Sequence, residues 1–284
     1  MQRERGPPCC AGVSYTLPAT AQTGFASGFV ALHKQAACHP MTPIIIIPAR
    51  MAATRLPGKP LLAIEGVPMI VRVLRCALKA DIGPVAVAAG DQDIVDVVEA
   101  AGGRAVLTNP ALPSGSDRIL AALGVLDRSG AHDVVINLQG DMPFVAADVI
   151  GACATLFENS GTDITTVVAP ESSDSDRQNP DVVKAVLSLA PGAASGRALY
   201  FTRSRLYGDG AIWRHVGIYG YRPEALRAFN AAAPSPLETR EKLEQLRALE
   251  LGLTIHAALI DQAPISVDTA ADLEAARAYA RANP

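Results

Sequence analysis

Hydrophobic positions change their spacing along this chain in a regular way. From Pro43 onward, short apolar runs alternate with stretches whose apolar residues recur every three or four positions. That is the pattern of strands alternating with amphipathic helices. Ile44-Ile-Ile-Ile47 is the first run, and β-branched residues without polar alternation predict a strand buried on both faces, as in a parallel sheet. Pro68 predicts the first position of a helix with Ile70, Val73, Leu74, Ala77 and Leu78 on one face. Val85 to Ala89 predicts a second strand. Asp91 predicts the cap of a helix bearing Ile94, Val97, Val98 and Ala101, which Gly102-Gly103 ends. Arg104 to Leu107 predicts a third strand, and Ser116 the cap of a helix with Ile119, Leu120, Leu123 and Leu126. Val134-Val-Ile136 predicts a fourth strand that runs directly into Asn137-Leu-Gln-Gly-Asp141.

Beyond residue 160 the pattern changes. Asp163 to Ala169, Val182 to Leu187, Ala198 to Thr202 and Val216 to Tyr221 read as strands with few helical residues between them. They predict an antiparallel patch beside the parallel sheet, a subdomain or dimerisation arm. Ser235-Pro-Leu-Glu238 is a capping box with proline at the first helical position. The helix it opens is expected to run to about Leu251, with Glu238 and Lys242 paired one turn apart. Thr254 to Leu259 predicts a late strand, and Val267-Asp-Thr269 leads into a last helix with Leu273, Ala276 and Ala280. The fold class is therefore α/β: a mixed, mainly parallel sheet flanked by helices, with a smaller antiparallel subdomain. Residues 43–284 read as one domain. Residues 1–42, rich in Ala, Gly, Ser, Thr and Pro and without periodicity, read as a poorly ordered extension, with Met41 as a candidate start.

Composition narrows the function. A chain of 284 residues that is 49% hydrophobic, with mean hydropathy +0.21, can build a sizeable core. Its net charge of −3 argues against a polymeric nucleic-acid partner. No apolar run approaches the roughly 20 residues of a membrane-spanning helix. Cys9, Cys10, Cys38, Cys76 and Cys153 are odd in number and form no C-x-x-C pair, which favours thiols in a reducing cytosol.

The candidate chemistry begins just after the first strand. Arg50, Arg55 and Lys59 ride on a segment that Pro48, Pro57, Gly58 and Pro60 keep from forming a regular helix. Ligands of open α/β sheets bind beyond the carboxyl ends of the strands, where this loop should lie. Guanidinium groups match phosphate oxygens two at a time, so the loop is either a triphosphate cradle or a surface loop with solvated cations. Asp141 follows a buried strand, and one carboxylate suffices to begin a magnesium site; it is otherwise a turn residue. Asp268 is a second metal carboxylate or the cap of the final helix. Ser114-Gly-Ser-Asp-Arg118 opens a helix suited to an anion or a base edge, or is a plain cap with Arg118 in solvent. His215, Gly217 and Tyr219 share a strand face, and Glu241 and Gln245 share a helical one, with Glu244 adjacent. No H-E-x-x-H, G-x-S-x-G or G-x-G-x-x-G pattern is present.

In order, Pro48-Ala-Arg50, Arg55-Leu-Pro-Gly-Lys-Pro60, Ser114 to Arg118, Gln139-Gly-Asp141, Ala198 to Arg203, Arg214 to Tyr221, Ser235-Pro-Leu-Glu238, Leu243-Glu-Gln-Leu-Arg247 and Val267-Asp-Thr269 resemble the 3-deoxy-D-manno-octulosonate (Kdo) cytidylyltransferase family. The resemblance runs from about residue 44 to the end. It implies a nucleotide-diphospho-sugar transferase-like fold, usually a cytoplasmic homodimer, that couples CTP to Kdo with Mg²⁺ for lipopolysaccharide synthesis. It implies catalytic and phosphate-binding roles for Arg50, Arg55 and Lys59, and a nucleotide pocket completed by Ser114, Arg118 and Gln139. It further implies magnesium on Asp141 and Asp268, with Asp141 also catalytic, and sugar-acid contacts from Arg203, His215, Tyr219, Glu244 and Gln245. Two positions depart from the family pattern. Met142 stands where many members have Glu. After Arg203 the chain reads Ser-Arg205-Leu-Tyr-Gly-Asp-Gly210 instead of a Pro and a second Arg, leaving carboxylate recognition to Arg203 alone or with Arg205 as substitute. The alternatives are a cytidylyltransferase for a sialic or amino-substituted sugar acid and a nucleotide-binding relative without turnover.

Overall fold

The four isoleucines divide between two cores. A computed structural model describes residues 41–283 except 53, 54, 160, 172 and 209. In it Ile45 and Ile47 enter one apolar cluster and Ile44 and Ile46 another, as the two-residue period of a strand covered on both faces requires. This strand, β1 (Pro43–Ala49), is followed by the hairpin β2 (Ala63–Ile64) and β3 (Val67–Pro68), then α1 (Met69–Lys79), β4 (Val85–Ala89), α2 (Gln92–Ala100), β5 (Ala105–Leu107), α3 (Gly115–Leu126), β6 (Val134–Asn137) and α4 (Ala147–Thr155). The second half holds β7 (Ile164–Glu171), α5 (Asp174–Gln178), β8 (Lys184–Ser188), β9 (Ser195–Thr202), β10 (Ile212–Tyr221), α6 (Pro223–Ala231), α7 (Pro236–Glu241), α8 (Gln245–Glu250), β11 (Ile255–Leu259) and α9 (Ala270–Ala282).

Among the described residues, nine strands form one sheet in the order β5-β4-β1-β6-β10-β7-β11-β9-β8. The first four are parallel, so their carboxyl ends share one edge. The expected antiparallel patch is hydrogen-bonded onto them through β10, which runs antiparallel to both β6 and β7. β8 returns to pair with Trp213 and Arg214 of β10, so this half closes on itself. The register of β10 shifts between Val216 and Tyr219, a bulge placed where the strand passes from the β8 neighbour to the β6 neighbour. Helices α1, α2 and α4 cover one face of the sheet and α3, α6 and α8 the other. A third cluster joins Ile64 and Met69 to Val267, Leu273, Ala276 and Ala280, seating α9 on the hairpin.

Several local expectations need correction. Leu78 is 54% exposed and stands outside the buried face of α1. Pro68 ends β3 and precedes α1 by one residue. Ser114, two residues earlier than expected, caps α3. The long helix expected from Pro236 to Leu251 is two short ones, because Lys242 takes φ 56° and ends α7. Glu238 consequently pairs not with Lys242 but with Arg247, whose Nη2 and Nε donate to its two carboxylate oxygens at 2.6 and 2.7 Å. That bidentate geometry is the strong form of the interaction. Met41 packs against the core and Thr42 N donates to Asp133 Oδ1 at 2.7 Å, so both belong to the folded unit. The rest of the expected extension, residues 1–40, lies outside the described residues.

Candidate functional site

A cleft of about 300 Å³ opens beyond the carboxyl ends of β1 and β6, lined by Arg50, Arg55, Lys59, Ser114, Arg118, Gln139, Asp141 and Asp268 among others. Its floor is set by backbone contacts. At Gly140 a Cβ would lie 3.0 Å from the Pro48 carbonyl oxygen, so a side chain there would crowd the segment before Asp141 against β1. Val267 N donates to Asp141 O at 3.0 Å, which brings the far end of the chain alongside. Asp268 does not cap the last helix. Thr269 does so in a capping box with Asp272, and the Asp268 carboxylate is left for the cleft.

There Lys59 Nζ donates to Asp141 Oδ2 at 2.9 Å and to Asp268 Oδ1 at 3.1 Å. Arg55 Nη2 lies 3.2 Å from the same Asp268 oxygen. Burial works against the ammonium, but the two carboxylates outweigh it and hold the Lys59 pKa above the ordinary lysine value. Burial pushes the Asp141 carboxyl up, against the attraction of Lys59, and the like charge of Asp268 adds to the rise. Asp141 Oδ1 is buried and has no hydrogen-bond partner among the described residues. An orphaned carboxylate oxygen beside a second carboxylate is costly as it stands and fits a hard divalent cation that takes its other ligands from water and phosphate.

Ser114 Oγ accepts from Asp117 N at 3.1 Å and donates to Asp117 Oδ2 at 2.6 Å, so the cap is also part of the cleft wall. Arg118, expected in solvent if the segment were a plain cap, is only 2% exposed. Its Nη1 donates to Thr108 Oγ1 at 2.6 Å and to Asn109 O at 3.2 Å. Burial and the nearby charge of Arg50 both lower its pKa; a buried guanidinium facing a second one is a ready partner for an anion.

A second cavity, about 290 Å³, shares Gly115 and Gln139 with the first and is lined by Asn137, Tyr219, Tyr221, Lys242, Glu244 and Gln245 as well. Tyr219, Glu244 and Gln245 thus line one cavity. His215 and Arg203 line neither cavity. The His215 ring stands 5.3 Å from the Tyr219 ring, its Nε2 is 3.1 Å from Thr166 Oγ1, and burial pushes its pKa down to about 4. It braces the tyrosine as a neutral ring. Arg203 Nη1 donates to Pro180 O at 2.9 Å and its Nε to Glu241 O at 3.2 Å. Arg205 is exposed.

The places of two residues at the site escaped the sequence reading. Asp91 makes no side-chain cap on α2; its Oδ2 accepts from Met51 N at 2.8 Å. Lys242 reaches the second cavity because the helix breaks there. A Gly-Asp pair at the end of the strand next to β1 was a visible signal for the first. Nothing local announced the second.

The cytidylyltransferase family model matches residues 44–255. The 3-deoxy-manno-octulosonate cytidylyltransferase of Rhodospirillum centenum is 55% identical over 240 residues, covering 84% of this chain and 93% of its own. That of Parvibaculum lavamentivorans is 53% identical, covering 83% and 92%. Among solved structures, CMP:2-keto-3-deoxy-manno-octonic acid synthetase complexed with CTP superposes with TM-score 0.78 at 33% identity, over 86% of this chain and all of that one. An apo UDP-glucose pyrophosphorylase, 12% identical with TM-score 0.63, shares the fold.

Proposed function

The chain belongs to the cytidylyltransferase family, and on that premise we propose that it couples CTP to 3-deoxy-D-manno-octulosonate, giving CMP-Kdo and pyrophosphate. It is an enzyme, a 3-deoxy-manno-octulosonate cytidylyltransferase, and relatives of that name extend over most of its length. The observation that carries the chemistry is the convergence of Arg50, Arg55 and Lys59 with Asp141 and Asp268 on one cleft beside a second cavity.

The anomeric hydroxyl of the sugar acid attacks the α-phosphorus of CTP, and pyrophosphate leaves. Such a reaction asks the protein mainly for positioning and charge. Arg50, Arg55 and Lys59 grip the triphosphate and offset the charge gathering on the leaving group. Arg118, Ser114 and Gln139 border the nucleotide, and Gln139 stands at the junction of the two cavities. Tyr219, Glu244 and Gln245 hold the sugar, with His215 stiffening Tyr219. Asp141 and Asp268 would hold Mg²⁺, which when bound would supply charge neutralisation at the phosphate and lower the pKa of the attacking hydroxyl. The reading extends to a cytoplasmic homodimer serving lipopolysaccharide synthesis, checked by light scattering and cell fractionation.

A panel of sugar acids with pyrophosphate release as readout tests the assignment. Kdo is expected to give the highest kcat/KM. A preference for a sialic or amino-substituted acid would transfer the enzyme to a sibling activity, and CTP binding without any pyrophosphate release would overturn catalysis.

A further inference from the structure

Asp141 and Asp268 share one ammonium. Lys59 Nζ sits within 2.9 Å of the first and 3.1 Å of the second, and Arg55 adds a contact at 3.2 Å to the second. The Lys59 side chain is 17% exposed and that of Asp141 20%, whereas Arg55 is 66% exposed. The Lys59 contacts therefore carry most of the charge balance, since exposed pairs contribute little. With its Oδ1 buried and unpartnered among the described residues, the Asp141 carboxylate is costly to keep ionised without a cation beside it. A divalent ion bound by both carboxylates, even through the unpartnered Asp141 Oδ1, would stand beside the ammonium that Asp141 Oδ2 and Asp268 Oδ1 now hold, and two cations at one pair of carboxylates repel strongly. A displaced ammonium would remain on the wall of the cleft with Arg50, where the phosphates of a bound nucleotide would be its partners.

We infer that Lys59 and a divalent cation are alternative partners of the Asp141–Asp268 pair, so that Lys59 moves from carboxylates to phosphates as metal and nucleotide bind. The inference rests on the reading of these two aspartates as metal ligands. Its consequence is reciprocal coupling: the nucleotide favours metal by drawing Lys59 away, and the metal favours nucleotide by releasing it. Lys59 thus disfavours a metal-loaded, nucleotide-free enzyme.

The test is calorimetric titration of Mn²⁺ into the full chain, without nucleotide, for the natural protein and for Lys59→Met. The variant is expected to bind Mn²⁺ about tenfold more tightly, a typical size for such coupling. A non-reacting α,β-methylene analogue of CTP should then raise Mn²⁺ affinity more in the natural protein than in the variant. Equal affinities without nucleotide would overturn the exchange. A second measurement needs no variant: acetic anhydride labelling of Lys59, scaled to exposed Lys79, should rise when Mn²⁺ alone is added. Unchanged labelling at saturating Mn²⁺ would also overturn the exchange. Absence of Mn²⁺ binding in both proteins, with the analogue present, would instead remove the metal reading on which the inference stands.

Discussion

The carboxylate of Asp91 accepts the backbone amide of Met51 at 2.8 Å, across 40 residues of sequence. This bond fastens the loop after β1 to the turn after β4, directly behind Arg50. Gly90 N reinforces it by donating to Ala49 O at 2.8 Å. Asp91→Ala is expected to raise the KM for CTP about 10- to 100-fold, corresponding to the loss of a hydrogen bond to a charged group, about 1.5–3 kcal/mol. The KM for the sugar acid should change little. Asp91→Asn keeps an acceptor and should recover most of the loss in steady-state kinetics with each substrate varied.

Gly90 separates two guanidinium side chains. A Cβ there would stand 2.8 Å from Arg118 Nη1 and 3.2 Å from Arg50 Cβ. Gly90→Ala is expected to weaken CTP binding and to destabilise the fold by about 1–3 kcal/mol, as overpacking does. Gly124→Ala, inside α3 with nothing within 4 Å of the added methyl, should stabilise it by about 0.5–1 kcal/mol. Urea denaturation of the two variants gives the comparison.

Asp141→Asn is expected to lower turnover at least about 100-fold while leaving the circular-dichroism spectrum unchanged. The loss follows from removing a charge at a site of phosphate chemistry, where metal assistance contributes several kcal/mol. The fold should persist because the Asp141 carbonyl, which receives Val267 N, belongs to the backbone. Near-normal pyrophosphate release by this variant would take Asp141 out of the metal site.

His215 links stability to pH. Burial lowers its pKa to about 4, while the unfolded chain titrates near 6.5. Between these values the unfolded state binds more protons, so stability falls as pH drops. The contribution is complete above about pH 6.5 and lost by about pH 4, a difference on the order of 3 kcal/mol. His215→Gln should flatten this part of the acid limb in urea denaturation curves at pH 7, 5.5 and 4. The kcat profile of the natural enzyme between pH 6 and 8 should carry no inflection from this ring.

The sequence was most legible where a single period dominated. Ile44 to Ile47, Val85 to Ala89 and Val134 to Ile136 are parallel neighbours as their apolar runs require, and the chemistry follows their carboxyl ends. Lys242 shows the opposite case. Its surroundings have ordinary helical spacing, yet the chain turns left-handed there, and Glu238 finds Arg247 nine positions on. A pair held from the side by tertiary packing outweighs the few tenths of a kcal/mol that an i,i+4 pair offers a helix.

What the sequence by itself determined is the set of chemical groups and the local frame that carries them: buried strands, punctuated loops, and motifs whose order resembles one enzyme family. Only the tertiary structure decided which groups meet. Asp141 and Asp268 are far apart in the chain, and their shared contact with Lys59 depends on Val267 docking against Asp141. Asp91 looked like a helix cap and serves a loop instead. Arg203 donates to the carbonyl oxygens of Glu241 and Pro180, partners that no local pattern announced. The physical reason is common to all three. Period and propensity act within a few residues, whereas a charged side chain takes whichever partner the packed elements bring within about 3 Å, and that distance is set by the whole sheet.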